Sequence, residues 1–87
     1  MTNKIITDKE INVESIIDNF DSDITYQIQN TGGRPIIAIT EYNNDVATRQ
    51  YNTINNLANY KRRENTTVYF CCLKGQETTV AITILGE

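Results

Sequence analysis

The 87-residue sequence contains no histidine and no tryptophan, one proline, one methionine, two cysteines and four glycines. Without His there is no His-based triad, no imidazole general base and no His-containing metal site. With so little Pro and Gly the chain is neither a linker nor a low-complexity tail, and its length admits one domain, spanning residues 1–87. Long hydrophobic runs are also missing. The longest, residues 68–73, and the aliphatic run 36–39 are both far short of a membrane span. Residues 1–11 include Lys4, Asp8, Lys9 and Glu10, so no apolar signal core is expected there.

The two cysteines, Cys71 and Cys72, are adjacent. Neighbouring Cα atoms lie about 3.8 Å apart, below the usual disulfide range of about 4.4–6.8 Å, and on a strand the two side chains point to opposite faces. Both read as reduced thiols, which implies a cytoplasmic protein.

Eight basic and eleven acidic residues give a formal charge of −3. The charge is uneven. Residues 1–23 carry two Lys against six Asp or Glu, a net of −4, whereas residues 43–65 carry four basic against two acidic groups, a net of +2.

Residues 4–7 include Ile5 and Ile6 and read as a short strand. Asn12 is a good helix N-cap, and Val13, Ile16, Ile17 and Phe20 follow at i, i+3, i+4 and i+7, the spacing of an amphipathic helix ending at Asp21-Ser22-Asp23. Residues 24–30 alternate, with Ile24, Tyr26 and Ile28 on one face. The turn Thr31-Gly32-Gly33 predicts a hairpin to a return strand over residues 36–42. Ala47, Tyr51, Ile54, Leu57 and Ala58 predict a long second helix from Asn43 to about Arg63.

The β-branched segments 66–73 and 78–85, joined around Gly75-Gln76, predict a closing hairpin with Tyr69, Cys71, Leu73, Val80, Ile82 and Ile84 on its core face. The resulting order is (β)αββαββ. It describes an α+β two-layer sandwich in which two helices cover one face of an antiparallel sheet of four or five strands, of ferredoxin-like kind if the first strand pairs. The uncovered sheet face would then carry Val68, Phe70 and Cys72, and that apolar surface predicts a homodimer interface.

Catalytic and metal chemistry finds little support. The thiols have no His to activate them. Asp18, Asp21 and Asp23 form an acidic cluster, but an EF-hand loop starting at Asp21 would require Glu where Gly32 stands. Glu41 reads as the solvent end of a strand. Thr31-Gly32-Gly33-Arg34-Pro35 lies between strands and lacks the Gly-Lys-Ser/Thr and helix of a phosphate loop. No metal, cofactor or enzymatic activity is therefore expected.

Two surfaces remain. If the second helix forms, Arg49, Asn52, Asn56, Asn59 and Arg63 share one ridge, able to meet a protein or, through the basic end Lys61-Arg62-Arg63, to bind nucleic acid weakly. Glu14, Asp18, Asp21 and Asp23 make the first helix an acidic partner surface that could occupy a site meant for nucleic acid. Val68-Tyr69-Phe70 only faintly echoes an RNA-recognition motif, because the glycine is missing.

In size and in its acidic, Asn- and Ile-rich composition, the chain resembles accessory proteins of phages and mobile elements, anti-CRISPR inhibitors among them. That resemblance implies a small cytoplasmic protein that binds and blocks a host enzyme or nucleoprotein complex. A weak nucleic-acid-binding domain and a small-molecule-binding regulatory domain are the alternatives.

Overall fold

Eight β-strands and one 3-10 turn make up the secondary structure of the described residues. This is a computed structural model, and it describes residues 2–17, 20, 24–42, 48–61, 63 and 65–86. The strands are β1 (Thr2–Ile6), β2 (Ile11–Asn12), β3 (Thr25–Asn30), β4 (Ile36–Tyr42), β5 (Thr48–Ile54), β6 (Leu57–Lys61), β7 (Thr66–Cys71) and β8 (Thr78–Gly86). They form two four-stranded sheets, a front sheet in the order β1-β8-β3-β6 and a back sheet in the order β2-β7-β4-β5.

All pairings are antiparallel. β1 pairs with β8, β2 with β7, β3 with β6 and β4 with β5, as in one long hairpin with its tip between β4 and β5. The further pairs β3–β8 and β4–β7 roll that hairpin into two facing sheets. This strand order is the eight-stranded jelly roll.

The α+β sandwich with two helices is therefore not the fold. No α-helix occurs among the described residues. At the first predicted helix, Asn12 does cap, accepting a 2.8 Å hydrogen bond from the Glu14 amide. It starts only the 3-10 turn Val13–Ser15, after which the Ile16 and Ile17 amides both bond to the Val13 carbonyl. Val13, Ile16 and Ile17 are buried from this single turn.

The second predicted helix is replaced by β5 and β6 with Asn55-Asn56 at the bend between them. Its supposed apolar stripe does not share a face. Ile54 is buried, whereas Tyr51 and Leu57 are 62% and 56% exposed. Thr48, Tyr51, Thr53, Ile54 and Tyr60 are residue types that fit a pleated surface, and four Asn between positions 52 and 59 weaken a helix.

The remaining strands form much where alternation places them, but neither predicted hairpin exists. β3 and β4 lie in opposite sheets, as do β7 and β8. Gly75, with φ of +79°, does serve a tight turn in which the Gln76 amide bonds to the Leu73 carbonyl, yet that turn carries the chain from one sheet to the other.

The core lies between the sheets and contains Ile6, Tyr26, Ile28, Ile36, Ala38, Ile54, Phe70, Val80 and Ile82 along with the residues of the 3-10 turn. Phe70, 0% exposed, and Cys72 belong to this core and Val68 packs against it. The assignment of Val68, Phe70 and Cys72 to a bare dimer face therefore fails, because β7 presents the opposite face from the one expected. Tyr69 and Cys71 point outward instead, paired across β4 with Ile39 and Ile37.

The two ends of the sandwich differ. One end, formed by the β1–β2, β3–β4, β5–β6 and β7–β8 connections, is closed by hydrogen bonds centred on Asn30. Its side-chain amide donates to the Arg34 and Ile54 carbonyls, and its side-chain oxygen accepts from the Gly32 amide at 3.3 Å and the Thr78 hydroxyl at 2.9 Å. The Asn30 amide bonds to the Asn56 carbonyl at 2.7 Å, and the Cys72 amide to the Thr7 carbonyl at 2.7 Å. Gly32 is required here by proximity, since a Cβ would lie 2.5 Å from the Thr79 amide nitrogen and still closer to the Thr78 hydroxyl.

Candidate ligand-binding cleft

A cleft lies towards the opposite end of the sandwich. Here the inward positions of the back sheet change character. Along β4 they run Ile36, Ala38, Thr40 and Tyr42, and along β7 towards the same end they run Phe70, Val68 and Thr66. Small threonines replace bulky apolar side chains, so the sheets are not packed against each other to the rim. The space left is a cleft of about 280 Å³ lined by Val13, Glu14, Phe20, Tyr26, Thr40, Tyr42, Asn59, Tyr60, Lys61, Arg63, Thr66 and Val68.

Its front wall is aromatic. Tyr26 on β3 and Tyr60 on β6 are direct cross-strand partners, with ring centroids 5.7 Å apart and planes inclined at 21°. Phe20 tilts against Tyr26 at 6.4 Å, and Phe70 lies in the core 6.3 Å from Tyr60. Tyr26 as a whole is only 2% exposed. Burial, then the nearby Tyr60 and Glu14, pushes the Tyr26 phenol well above its ordinary range, and burial raises that of Tyr60. Both hydroxyls therefore keep their protons and act as donors. Asn59, Lys61 and Arg63 stand at the rim and are exposed.

A second polar cluster lies on the outer face of the back sheet. The row Tyr51, Ile39 and Tyr69 crosses β5, β4 and β7. The Arg49 guanidinium reaches over both rings, 5.8 Å from the Tyr51 centroid and 5.9 Å from that of Tyr69. It pairs with Glu10 at 2.6 Å, and its Nε lies 3.7 Å from Glu41. The hydrogen bond to Glu10 is the largest influence raising the Arg49 pKa and holds the group charged. Ile39 and Cys71 are buried on this outer face. Arg49 and Glu41 are thus parts of a cross-strand brace rather than free surface groups.

The residues picked from a helical ridge scatter. Arg49 belongs to this brace, Asn52 is exposed on the other face of β5 and Asn56 sits at the β5–β6 bend in the closed end. Only Asn59 and Arg63 meet at the cleft, joined by Glu14 from the acidic set. Asp18, Asp21 and Asp23 lie outside the described residues, as does Arg62.

Sequence reasoning missed Tyr26, Tyr42 and Tyr60 as functional candidates. The available signal was composition, since five of the seven aromatics are Tyr, a residue with an apolar body and a polar tip.

Among the described residues, no group of three or more Cys, Asp or Glu side chains is placed to hold a metal ion. No helix there is long and apolar enough to cross a membrane. Comparison of the chain with protein-family models, with curated proteins and with solved structures yields no match.

Proposed function

We propose that this protein is a non-catalytic binding domain whose ligand site is the cleft at the end of the sandwich away from Asn30. One observation carries the reading: Tyr26 and Tyr60, stacked as cross-strand partners, line a cavity together with Val13, Val68 and the polar rim groups Asn59, Lys61 and Arg63. Phenolic hydroxyls at the wall of such a cavity are available to hydrogen-bond whatever occupies it. The cavity is near the lower end of the range for small-molecule sites, about 300–1,000 Å³, and combines apolar walls with a few polar groups. Among the described lining residues Glu14 is the one carboxylate, and there is no thiol. The site supports binding better than acid–base or nucleophilic chemistry. A reducing, cytoplasmic setting accords with two free thiols pointing to opposite faces.

The test is nuclear magnetic resonance of the full chain with labelled tyrosines against a panel of single-ring compounds. Tyr26 and Tyr60 ring signals should shift on binding while those of exposed Tyr51 stay still. A panel that moves Tyr51 as much as Tyr26 removes the cleft from consideration.

A second reading, a protein-interaction module that blocks a host macromolecule or pairs with its own copy, draws on the outer face of the back sheet. Tyr51 and Tyr69 beside Arg49 are residue types enriched at binding hot spots. Tyr51→Asp should abolish partner binding or dimerisation in light scattering under this reading, and an unchanged mass and partner profile would exclude it. The nucleic-acid reading has less support, because Arg49 is already engaged by Glu10 and stands on a different surface from Lys61 and Arg63.

A further inference from the structure

We propose that the cleft takes a small ring-bearing oxyanion, a carboxylate or phosphate monoester, which accepts from the tyrosine hydroxyls and meets the cations at the mouth. This assignment of ligand class rests on the cleft being the ligand site.

The donor balance of the cleft carries it. Tyr26 and Tyr60 offer phenolic hydroxyls held protonated by burial. Lys61 and Arg63 add two cations. The salt bridges among the described residues both belong to Arg49, so Lys61 and Arg63 have no carboxylate within ion-pair distance there. Against these donors the described lining residues set one anionic acceptor, Glu14.

A ligand that satisfies such a site brings acceptor oxygens and negative charge. Its remainder must be apolar and compact, since Val13, Val68, Phe20 and the Tyr rings line a space of about 280 Å³. A single six-membered ring with a short anionic substituent meets both requirements. A purely cationic or donor-rich ligand would leave the phenols unsatisfied and repel the rim.

The experiment is a titration of the full chain, followed by its amide and tyrosine resonances, with phenylacetate, phenyl phosphate, neutral phenylacetamide and methyl glucoside. The expected result is that an anion binds about tenfold or more tightly than phenylacetamide, as for a charge-assisted hydrogen bond, and moves Tyr26, Tyr60 and Val68. Tighter binding of phenylacetate assigns the head group as a carboxylate, and tighter binding of phenyl phosphate assigns it as a phosphate ester.

The preference should fall to within about twofold in Lys61→Gln/Arg63→Gln, which alters only exposed rim groups. Tyr26→Phe should weaken the anion about tenfold while leaving the urea midpoint of the free protein unchanged or higher. A merely structural hydroxyl would show the reverse. If phenylacetamide or the glucoside matches the anions at the same resonances, the oxyanion assignment is overturned and the cleft remains the site. If none of the probes moves those resonances, the cleft reading falls and this assignment with it.

Discussion

Replacing Asn30 should release the closed end of the sandwich, and the size of the effect follows from its contacts. The side chain links four segments. It donates to the Arg34 carbonyl in the β3–β4 turn and to the Ile54 carbonyl at the end of β5, and it accepts from Gly32 and from Thr78 at the start of β8. Each such bond contributes about 1 kcal/mol net, and a buried group left without its partner costs about 1–3 kcal/mol. Thr78 is buried, so its hydroxyl is the group most harmed. Loss of Asn30 also removes a donor to the partly buried Ile54 carbonyl.

For Asn30→Ala the expected loss is about 2–4 kcal/mol, a large share of the roughly 4–13 kcal/mol available to a chain of this length. Equilibrium urea unfolding followed by tyrosine fluorescence and circular dichroism measures it. Thr31→Ala, which removes the exposed 2.8 Å contact with Thr79, serves as a neighbouring control and should cost below about 1 kcal/mol.

Asn30→Asp sharpens the test. It keeps the acceptor for Gly32 and Thr78 but sets a carboxylate against two carbonyls. Its folded pKa must then rise above the unfolded value, so the variant should regain stability as pH falls through the carboxylate range and lose it again towards pH 7. An Asn30→Ala loss below about 1 kcal/mol, or an Asn30→Asp variant equally stable at both pH values, would refute the view that this side chain holds the end closed.

Other expectations follow from the same geometry. Phe70→Asp should prevent folding rather than produce a folded monomer, since the ring is fully buried against Tyr60; a well-dispersed folded spectrum would contradict the core placement. Gly32→Ala should cost more than Gly33→Ala in thermal unfolding. The first Cβ collides with Thr78 and Thr79, whereas the second meets open space and costs only the roughly 1 kcal/mol of its positive φ. Equal losses would show that the turn relaxes.

Burial raises the Tyr26, Tyr60, Cys71 and Cys72 pKa values. The unfolded chain therefore releases these protons first. The stability they contribute is fully present below the ordinary thiol and phenol values and is lost as pH rises above them, from about 9 upwards. Urea midpoints at pH 8 and 10.5 should differ in that direction, and an unchanged midpoint would argue that these groups are solvated. Both thiols should also react slowly with a disulfide reagent until urea is added, and immediate reaction of Cys72 would contradict its burial and its 3.4 Å contact with the Ile6 carbonyl.

What the sequence by itself determined was local. Alternation located β3, β4 and β8 and the inward face of β3, and Asn12 was legible as a cap because its side chain bonds only two residues away. The apolar pattern after Asn12 did not determine a helix. Val13, Ile16 and Ile17 can be buried by a single 3-10 turn that the sheets press upon. Nor did the i, i+3, i+4 spacing after Asn43, because a seven-residue strand, a bend and a five-residue strand can reproduce it by coincidence.

The tertiary structure decided the strand partners. A period of two tells which side of a strand is apolar but not which strand lies beside it, and Gly75 turns the chain equally well within a sheet or between two. Rolling one long hairpin so that β3 meets both β6 and β8 put Tyr26 beside Tyr60, residues 34 positions apart. The cleft exists only because that pairing faces the threonine ends of β4 and β7.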